Sequence, residues 1–321
     1  MNELEADRTS FPNSTVGRDY WASFLVLSIV ATLVYFFGFV GLFIKGTYAQ
    51  GVCSTAVWAW QAWNPAANQE HSKLVPLMFL GLIWFARDKI RQARKSGSHL
   101  GLIFVGAGVL LFLVGARCLQ PRLALLSLPF LIYGSVMFLW GRQVARIILF
   151  PCAFLVFMIP VAAIEQATFR LQFVITGAVG ALSNLVGIRI EAVGTTLTAL
   201  DGSFNFQIAE GCSGIRSLTA MTMLAAIYVH LTQKELWKKI LIFAFSIVFA
   251  IAGNVGRIFT VVLVAKWINP ELAAGIYHDY SGYVFFPIAL AAMLGFSKLV
   301  NLCCPTPLVA GSKNHVVPDH D

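Results

Sequence analysis

Apolar runs of spanning length recur along the chain at roughly 21–44, 74–86, 99–116, 122–140, 145–164, 214–231, 240–266 and 283–302. A membrane-crossing helix needs about 20 such residues, and the run at 74–86 is short by that measure. The pattern predicts an all-α polytopic membrane protein with about eight transmembrane helices. Two stretches depart from it. Residues 166–187, "QATFRLQFVITGAVGALSNLVG", carry Arg170, Gln172 and Asn184 inside an apolar sequence. They predict an amphipathic helix that lies in the membrane interface or re-enters it, just before the helix that follows Cys212. Residues 188–208, "IRIEAVGTTLTALDGSFNFQI", alternate and contain Gly and Asp-Gly turn signals. They predict a small extracytoplasmic β-hairpin.

Composition agrees with a membrane protein. The chain is 58% hydrophobic and 12% charged, with a mean hydropathy of +0.76. A soluble domain carries about 25% charge. The net charge of +8 therefore marks loops on the cytoplasmic side rather than a nucleic-acid partner, since no basic run is interleaved with aromatics in a soluble region. The segment "ARDKIRQARKSG" holds Arg87, Lys89, Arg91, Arg94 and Lys95 and is placed in the cytoplasm. Eight spans put the basic links at Arg142–Arg146 and "QKELWKK" on that same side, together with both termini. A ninth span at 166–187 would invert the second link. The polar start shows no cleavable signal peptide, so the first run reads as retained. The expected organisation is a cytoplasmic tail over 1–20, a membrane domain over 21–302 and a second cytoplasmic tail over 303–321. Trp58, Trp60 and Trp63 suit an interfacial belt. The six cysteines form no zinc-type CxxC pair, and neither metal nor other cofactor is expected. Cys53 and Cys118 both fall outside, where a disulfide is permitted.

Three features carry chemistry. In "AEGCSGIRSL", Cys212 stands at the outer start of an apolar helix, with Arg216 four residues on and Glu210 just before. Helix N-terminal N–H groups and a nearby cation lower a thiol pKa, and the thiolate is the nucleophile. In "GNVGRIF", Arg257 lies within the 240–266 run, on the order of 12 Å below its outer end. A charge at such a depth costs about 2.5–3.5 kcal/mol on insertion scales and marks function by default. Asn254, one turn earlier, is placed to hold the guanidinium. In "YHDYSGY", His278 sits in the outer loop before the last run, on the side of Cys212. A Cys/His pair activates sulfur, and a cation stabilises an oxyanion, which points to acyl transfer or peptide-bond cleavage. The plain readings stand beside this one: a packing cysteine, a snorkelling Arg216, a solvated His278 and a structurally paired Arg257. A transporter or channel with Arg257 as its anion site is the alternative function.

The blocks "EGCSGIRSL", "NVGRI" and "HDYSG" resemble, in order and spacing, the Cys, Arg and His blocks of the exosortase/archaeosortase family. "HSKLVPLMFLGLIW", residues 71–84, is similar to that family's second-span block, and the likeness covers about 57–300. The resemblance implies an eight-span cysteine transpeptidase or protease of the bacterial cytoplasmic membrane, with its site facing outward. It implies as substrates exported proteins with a C-terminal sorting tail: a short motif such as Pro-Glu-Pro, a membrane helix and a basic cluster. It assigns Cys212 as nucleophile, Arg257 as the family's arginine and His278 as base, with Arg216 in support. The extra C-terminal soluble domain of some members is not expected here. Membrane lipid is the other expected partner.

Overall fold

A computed structural model describes residues 15–44, 51–64, 69–160, 162–207 and 214–305, with the backbone alone for 15–23, 44 and 162–169. The chain divides into two compact units, Met1–Val161 and Ala162–Asp321.

The first unit begins with α1, Thr15–Val34, which ends in a π turn at Tyr35–Phe39. The apolar run 21–44 is therefore not helical to its end. Its last residues form β1, Phe43–Ile44, paired antiparallel with β2, Val52–Cys53. Helix α2, Thr55–Ala62, follows, capped by the Ser54 hydroxyl. Helix α3, Val75–Gln92, runs past the apolar run that predicts it and carries Arg87, Lys89 and Arg91 in its last turns. The Arg87 guanidinium lies 4.5 Å from the Trp84 ring centre. Cys53 is buried against Phe43 and Ala124, and Cys118 is exposed. The two are not joined to each other, so the permitted disulfide is not formed.

Helix α4, Gly101–Arg117, places Gly101, Gly108 and Gly115 on one buried stripe seven residues apart. That stripe lets it press against α5, Pro121–Phe154. A methyl at Gly101 would fall 2.5 Å from the Gly134 carbonyl oxygen, and one at Gly115 would fall 2.8 Å from Ala124 N. The runs 122–140 and 145–164 predict two spans with a link at Arg142–Arg146. Instead α5 holds both, with a fold at Gly141 alone, where φ is 86° and ψ is −177°. The chain doubles back there. On α2, Trp58 packs into the cluster that contains Ala124, and Trp63 donates its indole N–H to Met158 O at 2.8 Å. A straight helix from 124 to 158 would separate those points by about 50 Å, whereas α2 is about 12 Å long. No loop is needed because glycine alone reaches this conformation and because Ser96 O fills the space where a side chain would stand.

The second unit begins with α6, Ala162–Leu185. Gln172, Ile175, Thr176, Val179 and Ser183 are buried on one stripe, and Phe173, Val174, Leu182 and Leu185 are exposed. Over these residues the buried stripe mixes polar and apolar side chains, and large apolar ones are also exposed. Asn184 clamps it to the next strand, donating to Ile190 O and accepting from Ile190 N. The expected hairpin is a three-stranded antiparallel sheet: β3, Ile190–Val193, β4, Thr196–Ala199, and β5, Asn205–Gln207. The Asp-Gly signal makes the second turn rather than the first, and this adds a strand. Asp201 accepts from Ser203 N and Oγ there, and also from Lys266 Nζ.

Helices α7, Ile215–Thr232, and α8, Leu236–Trp267, follow. A short turn α9, Pro270–Leu272, then leads through a bend at Gly275 into α10, His278–Cys303. Leu197, Ala199 and Phe204 of the sheet share a core with Ile175 and Val179 of α6 and with Ile258, Val262 and Ala265 of α8. The sheet thus rests on the C-terminal end of α8. At the other end of α8, the buried Lys238 donates to Cys304 O at 2.6 Å and closes the end of α10.

By length and composition, four described helical stretches are long and apolar enough to cross a membrane: Pro121–Met158, Ile215–Thr232, Leu236–Trp267 and Pro270–Cys303. Phe24–Phe39 and Gly101–Arg117 are shorter apolar helices. The first long stretch is the one folded at Gly141, and each half is about 26–30 Å long.

Alanine at Gly141 must adopt backbone angles that cost about 1–3 kcal/mol for any residue but glycine, before the contact with Ser96 is counted. Gly141→Ala should lower the thermal midpoint of the detergent-solubilised protein. Gly106→Ala, whose methyl meets nothing within 4 Å, should leave it nearly unchanged.

Lys266 and Ser203 hold the Asp201 carboxyl well below the usual carboxylate range. A depressed carboxyl contributes stability above its unfolded value, and that contribution is lost as pH falls through the folded one. Amides of 196–207 should therefore exchange faster in Asp201→Asn than in wild type at pH 6, and the difference should vanish in strong acid.

Candidate functional site

The site grows from two helices that pack antiparallel. Gly253 and Gly256 let α8 approach α10: a methyl at Gly253 would lie 2.9 Å from Ala289 Cβ, and one at Gly256 would lie 3.2 Å from Phe285 Cε1. This register brings the first turn of α10 level with Arg257. The segment 277–283 is expected in a loop, but the helix begins at His278. The Arg257 guanidinium reaches that turn directly. Its Nε–H donates to Ser281 Oγ at 3.0 Å, and its Nη2–H donates to His278 O at 2.9 Å. Ser281 is 4% exposed, and its own hydroxyl donates to His278 O at 3.0 Å. Guanidinium, hydroxyl and carbonyl thus form a closed three-membered set. Among the described residues, Nη1 makes no hydrogen bond and remains available to a further acceptor.

His278 is 29% exposed at its side chain, and its Nδ1 lies 3.1 Å from Asp279 Oδ1. A carboxylate at Nδ1 favours the tautomer that carries the proton there, which leaves Nε2 as the basic nitrogen.

Cys212 and Glu210 lie outside the described residues. Gly214, the residue before α7, has φ of 75°. Asn254 does not hold the guanidinium. It is 4% exposed, and its amide packs against Gly214: a methyl there would fall 2.5 Å from Asn254 Nδ2. The start of α7 therefore stands against α8 one turn from Arg257. It lies about 20 Å short of the C-terminal end of α8, deeper than the apolar boundary suggests. Arg216 is exposed on the first turn of α7, and it is Ser217 that faces inward.

Between α7, α8 and α10 lies a small recess of about 30 Å³. Arg257, Asn254, Ser217 and Gly282 border it, over a floor of Met221, Ala250, Phe286 and Ala289. The structure thus joins Arg257, Asn254 and the turn bearing His278, while Arg216 stays at the surface. Ser281 and Ser217 are absent from the sequence-based set of candidates. The signal for Ser281 is its place three residues after His278, on the face that α10 turns to α8 once its helix starts at 278. Among the described residues no group of three His, Cys, Asp or Glu side chains is arranged to hold a metal ion.

Gly214→Ala should destabilise the protein through its backbone angles and through the Asn254 contact. Asn254→Ala removes the second part, so the double variant should recover part of the loss. A coupling of about 0.5–3 kcal/mol is typical for residues in contact and is measured by denaturation of the four proteins in the cycle.

A family model described as transmembrane exosortase matches residues 60–295. No curated protein and no solved structure matches the chain. The family match spans well over half of the sequence: the chain belongs to the transmembrane exosortase family, and it is an integral membrane protein with a role in protein sorting.

Proposed function

We propose that this exosortase is a cysteine transpeptidase or protease that cleaves the C-terminal sorting tails of exported proteins through a thioacyl intermediate on Cys212. One observation carries the reading. Gly214, two residues beyond Cys212, stands against Asn254, one turn from Arg257, and Arg257 is bonded to the turn that bears His278. The starts of α7 and α10 thus flank the Arg257 level of α8 within one unit.

The steps follow from those placements. Nε2 of His278 takes the thiol proton of Cys212. The thiolate adds to the carbonyl carbon at the cleavage point, the C–S bond forms, and the carbonyl oxygen becomes an oxyanion beside Arg257. Collapse of this intermediate breaks the C–N bond. The imidazolium gives its proton to the departing amine, and the tail leaves. Water or an acceptor amine then attacks the thioester. Its proton returns to sulfur by way of His278, which yields a carboxylate or an amide and the free thiol. Asp279 keeps the imidazole in the tautomer this sequence needs. Arg216, exposed on α7, attracts anionic substrate or lipid groups rather than taking part in the chemistry.

The proposed topology retains eight spans with the site outward in the bacterial cytoplasmic membrane, and tails over 1–20 and 303–321. Helix α8 is about 48 Å long, against about 30 Å of hydrocarbon. With Trp237, Lys238 and Lys239 at the inner boundary, the hydrocarbon ends near residue 259. Arg257 then lies at the outer boundary, and the sheet and Lys266 lie beyond it in water. That placement lowers the cost of the guanidinium and opens its free side to an exported substrate. The transport reading has no support beyond the presence of the arginine.

The test is processing of a tail-bearing reporter in cells. Cys212→Ala should abolish release of the tail at near-normal enzyme abundance. Arg257→Lys keeps the charge but loses the planar fork, and its turnover should fall by about 10²–10³, as for removal of an oxyanion donor. Wild-type processing by Cys212→Ala rejects the nucleophile, and wild-type processing by Arg257→Lys reduces the fork to a point charge.

A further inference from the structure

We propose that the recess beside Arg257 is the specificity pocket of this enzyme, and that it takes the small apolar side chain of the substrate residue whose carbonyl is attacked. The inference rests on the proteolytic reading above and adds the class of residue at the cleavage point.

A peptide residue presents two unlike surfaces on adjacent carbons. Its carbonyl oxygen needs a donor, and its side chain, when apolar, needs shelter from water. The recess offers both in the same order. At the mouth stands Arg257, with Nη1 free of partners among the described residues. Directly beneath lie Met221, Ala250, Phe286 and Ala289, with no charged group among them. The helix that follows Cys212 contributes Ser217 to the same mouth. An oxygen held by the guanidinium therefore leaves the neighbouring side chain over the apolar floor.

Gly282 argues that the space is kept open rather than left by loose packing. It lies within α10, where glycine weakens a helix relative to alanine. Gly253 and Gly256 of α8 are needed for close packing, against Ala289 and Phe285 of α10. Gly282 is not: a methyl there would meet only the Arg257 guanidinium, at 3.8 Å, an ordinary contact. The missing side chain therefore serves the opening, not the helix contact. The recess holds only about 30 Å³, bordered by the large Met221 and Phe286. The occupant is accordingly a residue of the size of alanine or valine, and an aromatic ring is excluded.

The probes are reporter tails with Gly, Ala, Val or Phe at the residue that becomes the new C-terminus, identified by mass spectrometry of the released product. They are processed by the full chain in liposomes. Wild type should prefer Ala or Val over Phe by tenfold or more. Gly282→Val narrows the slot and should lower the ratio of Val to Gly processing at least tenfold. Ala289→Gly deepens it and should raise that ratio severalfold. Ratios that stay flat in both variants, or that move in the same direction, overturn the pocket. So does a size preference that follows a different position of the tail. A Cys212→Ser chain provides the separate arm, in which binding of the same tails is read without chemistry. Size-dependent binding that Gly282→Val abolishes upholds the pocket even where Cys212 proves not to be the nucleophile. Normal dependence on Cys212 with size-independent binding removes the pocket and leaves the proteolytic reading standing.

Discussion

The guanidinium of Arg257 cannot shed its charge in a protein, so an apolar helix that carries it must bring oxygen to it. The rest of the second unit is arranged around that requirement. Both oxygens come from one turn, Ser281 Oγ and His278 O. A planar fork that engages two atoms of a single turn fixes the rotation of α10 as well as its height. The neighbouring glycines then fit: Gly253 lies under Ala289 and Gly256 against Phe285. Slippage of α10 by one residue would turn Ser281 away from the fork and drive a side chain against α8. The interaction that satisfies a costly charge is thus the one that sets the register of the site, and it places His278 at the top of the same turn.

A second consequence concerns depth. The start of α7 stands well below the end of α8, because Gly214 has no side chain and the Asn254 amide occupies the space. Above that corner α8 continues, and the three-stranded sheet covers its upper face through Leu197, Ala199 and Phe204. The sheet is tied at its far turn by Asp201 and Lys266. The part of α8 that exceeds the hydrocarbon thickness is therefore clothed by protein rather than left as a bare apolar rod.

How much of this was legible in the sequence depended on what each residue faces. Hydropathy located the helices well, since spans must satisfy their own backbone in lipid and are long and apolar for that reason. It misplaced the start of α10, because His278, Asp279 and Ser281 are polar for the sake of Arg257 and of one another, and a polar helical turn looks like a loop. It placed a link at Arg142–Arg146, because basic residues between two apolar runs suggest a loop, whereas Gly141 alone makes the fold. It gave Asn254 to Arg257, because one-turn spacing on a helix is visible in sequence while the neighbour on another helix is not. It missed the third strand, since "DGS" signals a turn without saying which pair of strands the turn joins. The residue types proposed to carry the chemistry were singled out by their spacing and by the family resemblance. The hydroxyl of Ser281, which completes the set around Arg257, acquires meaning only once α8 and α10 are seen side by side.

Arginine at 257 meets demands that no other cation meets together. Two of its N–H groups hold the turn of α10, and they lie on one edge of a rigid plane. The position of the remaining nitrogen, Nη1, is then fixed by the covalent geometry of the guanidinium and not by any contact of its own. A lysine ammonium is a compact charge on a flexible four-carbon stem, so the direction of a donor left over from the same two oxygens follows the stem and not a rigid plane. In the guanidinium the structural edge and the free edge belong to one delocalised unit, so the tie that secures the helix also aims the donor. For the reaction proposed here this matters more than the charge. An oxyanion that forms for an instant is stabilised by a donor already in place, since a donor that must first turn towards it loses part of its benefit to reorganisation.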